Sequence, residues 1–194
     1  MRSRHTINRN NGRIQNLSRV PEEFDESFQP VIGAPVTLRP LRPEDLDIET
    51  AFVEGLSAET RASRLLGGTI SVTREYLERL TRVNYERDMA LAATLMLEGR
   101  ETLIGVARYA LEADGESGEF ALVIADAWQG RGIGKRMLKK LVAVAEHRGL
   151  RRIYGDTLST NRPMLELAKS LGFELARHPE DSSVTRVTLE LGSE

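Results

Sequence analysis

Short apolar runs bounded by turn residues read as strands along this chain. They fall at Val36–Arg39, Met89–Leu97, Thr102–Leu111, Glu119–Ile124, Ile153–Asp156, Phe173–Ala176 and Val184–Leu191. Pro40 ends the first, and Glu98-Gly99-Arg100 turns the second into the third. Longer stretches with a helical period lie between them, at Asp45–Leu56, Thr73–Asn84 and Gly132–His147. In the last of these Ile133, Met137, Leu138, Leu141, Val142 and Ala145 share one face. A further helix is capped by Asn161, carries Pro163 early and stops at Gly172. Pro43-Glu44-Asp45 opens the first helix with proline and acids in its first turn, and Gly149 closes the third. Ser57–Ser71 reads as partly helical, broken by Gly67-Gly68. This order predicts an α/β domain built on a mixed sheet, without internal repeats.

Length and charge refine that picture. The chain has 194 residues and 40% apolar content, enough for one domain with a core plus an arm. No apolar run approaches the roughly 18 residues a membrane span needs, and a cytoplasmic location is expected. With no cysteine there is no disulfide, no thiolate metal site and no cysteine nucleophile. Three scattered histidines (His5, His147, His178) make no metal site either. The net charge of −2 hides an asymmetry, because residues 1–20 hold five arginines and no acid. The net-acidic remainder argues against nucleic acid and for a cationic partner. Residues 1–35 read as a flexible basic arm and connector, and 36–194 as the folded domain. The arm's composition would also suit a targeting presequence, but it shows no amphipathic stripe.

The chemistry concentrates where the strand ending at Ile124 feeds Gln129-Gly130-Arg131-Gly132-Ile133-Gly134 and a helix follows. A glycine-rich turn at a helix start presents free N–H groups that bind phosphate. A P-loop is excluded, since Gln129 stands at its first glycine and Arg136 follows Gly134-Lys135. Glycines at 130, 132 and 134 also miss the dinucleotide spacing. What is left is Q-x-x-G-x-G.

That pattern resembles the acetyl-CoA motif of the GCN5-related N-acetyltransferase (GNAT) family. Asn161-Arg162-Pro163-Met164-Leu165 with Lys169-Ser170-Leu171-Gly172-Phe173 resembles the family's second motif, about thirty residues on. Leu38–Asp45, Asp88–Leu91 and Asp126–Gly132 narrow the likeness to the catalytic domain of bacterial Pat-type protein lysine acetyltransferases. The resemblance implies a central, mostly antiparallel twisted sheet flanked by helices. It also implies acetyl-CoA as cosubstrate and direct acetyl transfer to an amine. The acceptor would be a lysine of a protein substrate, such as an acyl-CoA synthetase, or a small amine. Backbone N–H groups from Gly130, Arg131, Gly132, Ile133, Gly134 and Lys135 would hold the CoA diphosphate, with Gln129 in the motif. An anion there gains about 0.3–2 kcal/mol from the helix dipole. The strand edge at Leu122, Val123 and Ile124 would bond the pantetheine arm, and Asn161 would offer it an amide as well as capping a helix. Oligomeric state is left open by the sequence.

A lysine ammonium must lose a proton before it can attack. Glu119, at the start of the strand feeding the turn, is the candidate base, its pKa to be raised in a partly apolar cleft. Glu112, Asp114 and Glu116 read as a solvated acidic turn that could attract a cationic acceptor. The tyrosine that many family members carry seven residues after the motif asparagine is replaced by Ala168. Unassisted departure of the thiolate, Ser159, Thr160 or water would serve instead. That gap also admits a non-catalytic CoA-binding sensor. Trp128 reads as a plug beneath the turn, and Tyr85 and Tyr109 as packing residues rather than cleft lining. His178 is placed in a loop that could border substrate.

Overall fold

The structure, a computed structural model, describes residues 21, 24–30, 33–64, 66 and 72–192. The basic arm and the Gly67-Gly68 break lie outside these residues. Eight strands form one sheet: β1 (Glu26–Phe28), β2 (Val36–Pro40), β3 (Met89–Leu97), β4 (Arg100–Leu111), β5 (Ser117–Ile124), β6 (Arg152–Leu158), β7 (Glu174–Arg177) and β8 (Val184–Glu190). Five helices accompany them: α1 (Leu46–Gly55), α2 (Ala58–Arg64), α3 (Arg74–Thr81), α4 (Ile133–His147) and α5 (Arg162–Ser170). The strand order is β1-β2-β3-β4-β5-β6-β8-β7. All neighbours are antiparallel except β5 and β6.

Two apolar clusters sandwich the sheet. On one face Met89, Leu91, Ala93, Ile104 and Tyr109 meet Ile133, Met137, Leu138 and Leu141 of α4. On the other, Ala90, Ala92 and Val106 meet Phe52 and Val53 of α1 and Leu77 of α3. Burial on both faces explains why β3 reads as an unbroken apolar run rather than an alternating one. Fully burying a large side chain such as Leu91 or Leu138 contributes about 1.5–3 kcal/mol. The β3–β4 turn has Glu98 and Gly99 both at positive φ, 49° and 78°. A two-residue hairpin whose twist matches its strands needs that geometry.

Most predicted elements recur with ends moved by one to three residues. The main difference is β1, which lies within the stretch read as connector. Three residues are too few to show a periodicity. Glu26 nevertheless pairs with Arg136 and Lys140 of α4, and Phe28 lies under Arg136. The sheet thus begins ten residues before Val36.

Candidate active site

The glycine turn, the candidate donor side, is built from backbone. Ala125 N–H donates to the Ile104 carbonyl, which keeps β5 bonded to β4 up to its end. A 3-10 turn, Asp126–Trp128, then carries the chain to Gly130 and Gly132, at φ 70° and 82°. These left-handed values are open to glycine and costly to other residues. Helix α4 starts at Ile133 without a side-chain cap, and Arg136 N–H makes its first return bond, to the Gly132 carbonyl. The N–H groups just ahead of Arg136 therefore project from the helix end. Arg131 stacks on Trp128, 4.7 Å from the ring centre, and Trp128 packs on the core. Lys135 is exposed. Arg136 is committed to Glu26.

Between β5 and β6 the sheet forks. Their parallel register covers only Ser117–Glu119 against Arg152–Tyr154, although β5 runs to Ile124 and β6 to Leu158. Gly155 sits at the fork, where a Cβ would lie 2.9 Å from the Phe120 carbonyl oxygen. Beyond it the edge of β5 has no ladder partner on the β6 side among the described residues. Because ladder bonds alternate along a strand, Leu122 and Ile124 turn their amides toward that opening. Gln129 enters it, its side-chain amide donating to the Ile124 carbonyl (3.0 Å) and to Thr60 Oγ1 (3.3 Å).

Glu119 forms the last rung before the fork, opposite Tyr154. Its side chain is on the exposed sheet face with Tyr154, Asp156 and Arg186, since Tyr154 opposes Thr188 and Asp156 opposes Arg186 in β8. Partial burial, then the charges of Asp156 and Glu112, push the Glu119 pKa up, and Arg186 opposes them. Asp156 is gripped by Arg186 through two bonds of 2.9 and 2.8 Å, and His178 Nε2 lies 3.6 Å from it. Tyr154 donates to Glu112 at 2.8 Å, which together with burial raises its own pKa to about 12 and keeps it protonated. A cavity of about 300 Å³ adjoins this cluster, lined by Glu112, Asp114, Ser117, Arg152, Tyr154 and Arg186.

Several residues have duties other than those expected. Gly134 faces inward, where a Cβ would meet Leu122, Ile124 and Leu167 side chains at 3.6 Å, so its small size serves helix–strand packing. Asn161 is engaged at both ends, accepting from Met164 N–H (3.3 Å) and donating to Thr157 Oγ1 (3.1 Å). Ala168 is fully buried in the core, so a tyrosine there would have no open space to enter. Ser159 shares a 2.8 Å bond with Thr185, and Thr160 is exposed. Tyr85 and Tyr109, by contrast, are core residues as expected. Sequence reasoning missed Asp156, Tyr154 and Arg186 altogether. The polar alternation Arg152, Tyr154, Asp156 along β6 was the available signal.

Residues 36–174 match the acetyltransferase (GNAT) domain family, and the chain belongs to it. It is a GNAT-type N-acetyltransferase. Acetyltransferase PA5475 of Pseudomonas aeruginosa is 35% identical over 151 residues, 78% of this chain and 81% of that protein. Acetyltransferase Pat of Mycolicibacterium smegmatis is 28% identical over 155 residues, 79% of this chain but 45% of that longer protein. The GNAT domain of S. lividans PAT has the same fold, with a TM-score of 0.79 at 24% identity over 89% of this chain and 100% of that domain.

Proposed function

We propose that this chain transfers the acetyl group of acetyl-CoA to a lysine ε-amine of a protein substrate. The observation that carries the reading is the fork: an unpaired β5 edge, with a glycine turn at one end and a carboxylate of raised pKa at the other. The diphosphate would be held by N–H groups between Gly130 and Lys135, the pantetheine arm by the amides of Leu122 and Ile124. That leaves the thioester near Glu119. Glu119 takes a proton from the lysine ammonium, directly or through a water. The free amine attacks the thioester carbon and the C–N bond forms; the intermediate's nitrogen gives its second proton to solvent, and collapse breaks the C–S bond to release CoA thiolate. An inward β5 N–H would steady the oxyanion. Ala168 supplies no hydroxyl, so the thiolate takes its proton from solvent or leaves unprotonated.

An open, acidic sheet face suits a lysine offered on another protein's surface, in keeping with the resemblance to Pat-type enzymes. The test is incubation of a purified acyl-CoA synthetase with this chain and acetyl-CoA, read by intact mass. A gain of one acetyl group, lost with Glu119→Gln, supports the reading. Equal rates for both forms remove Glu119 as base. The cavity lined by acids and guanidiniums favours a second reading, a small amine acceptor. A panel of amines with thiol-release readout separates the two.

A further inference from the structure

The helix α2 lies against both β5 and β6, the strands that part at the fork, yet none of its residues is buried. Apolar packing therefore does not hold it. A polar clamp does. Asp126, in the turn after β5, accepts from Ser57 N–H (3.0 Å), Ser57 Oγ (2.7 Å) and Thr60 Oγ1 (2.7 Å). Ser57 Oγ in turn accepts the Thr60 N–H at 3.1 Å, closing the first turn of α2. Gln129 joins the same cluster, bridging Thr60 and the Ile124 carbonyl. Residues 57 and 60, at the start of α2, are thus wired to 126 and 129 in the glycine turn, nearly seventy positions away. In the relay from Thr60 N–H to Ser57 Oγ and from Ser57 O–H to Asp126, each bond polarises the next. These bonds hold the Asp126 pKa down at about 2, so the carboxylate is charged at any physiological pH.

We propose that Asp126 is a positioning residue that couples the two substrates: donor bound at the glycine turn stiffens the turn, and Asp126 passes that order to α2, which shapes the acceptor entrance. Coupling of this kind requires a link between two distinct sites, and the clamp is a direct one. The inference rests on the CoA reading above, and its experiment separates the two.

Hydrogen–deuterium exchange is measured on residues 57–64 of the full chain, with and without CoA, in wild type, Asp126→Ala and Thr60→Val. CoA affinity is measured alongside by calorimetry. In wild type, CoA slows exchange in this segment. In Asp126→Ala that slowing is lost, while CoA affinity stays within about threefold. Thr60→Val, a near-isosteric change at a half-buried residue, loses part of it and answers for Asp126→Ala should that variant fail to fold. A merely structural role would destabilise the whole chain and leave the CoA-dependent slowing intact wherever CoA still binds. Undiminished slowing in both variants overturns the coupling, as does absence of any slowing in wild type that binds CoA. No CoA binding by wild type overturns the donor assignment itself.

Discussion

The two halves of the proposed site are made of different material. The donor half is main chain, drawn from one stretch, Leu122 to Lys135, in which a strand, two left-handed glycines and a helix start follow in order. The acceptor half is side chains, gathered from β5, β6, β8 and the β4–β5 turn. A backbone device needs only local geometry. A side-chain device needs strands brought into register, and one slip of register would turn Asp156 and Tyr154 to the opposite face. The halves should therefore respond to mutation differently, the donor half to changes of shape and the acceptor half to changes of charge.

The largest break in that comparison is chemical. Glu119→Gln should cut kcat by about 10²–10⁴-fold with CoA affinity unchanged, checked by steady-state kinetics and calorimetry. A parallel loss of CoA affinity would merge the halves. Next comes Ala168→Tyr, which puts back the residue type many family members use. Because Ala168 is fully buried, overpacking should destabilise the fold by about 1–3 kcal/mol with no gain in kcat, visible as a lower Tm. A faster enzyme of normal stability would show that the site lacks only a hydroxyl.

The donor half can be probed by a pair of variants. Gly132→Val forces a branched residue to φ 82°, at a cost of about 1–2 kcal/mol or more. That predicts a CoA Kd raised about tenfold. Gly134→Ala adds a Cβ in ordinary contact at 3.6 Å and should alter Kd by less than about twofold. Equal effects would place the anion contacts elsewhere.

The mildest expected effect is on pH dependence. Glu119 must be ionised to accept a proton, and its pKa is raised by burial and by Asp156 and Glu112. Activity should therefore rise with pH through a midpoint above the ordinary glutamate value of about 4.3. Glu112→Gln removes one repelling charge, lowers the Glu119 pKa and moves that midpoint to lower pH. An unmoved midpoint in the pH profile of kcat/KM would show that the acidic limb is not Glu119.

Comparing expectation with structure follows the same division. The glycine turn, the Asn161 cap, the Gly149 and Gly172 helix ends and the Glu98-Gly99 hairpin were legible because each is decided within a few residues. The role of Gln129 was not. Its motif position points to the cofactor, but its amide is used on the Ile124 carbonyl and Thr60. Asp126 entered only as the first residue of the Asp126–Gly132 resemblance, and its partners come from residues 57 and 60.

The amino-acid order by itself determined the fold class, the turn that opens α4 and the place of Glu119 on the strand feeding it, since periodicity, caps and glycine conformation act over one or two turns of chain. Only the tertiary structure decided that β5 and β6 part after a three-residue ladder, that Asp156, Glu112 and Arg186 act on Glu119, and that α2 is moored to the donor turn. Those are contacts between distant segments. Strand pairing and the resulting electrostatic field, which no local pattern encodes, bring them about.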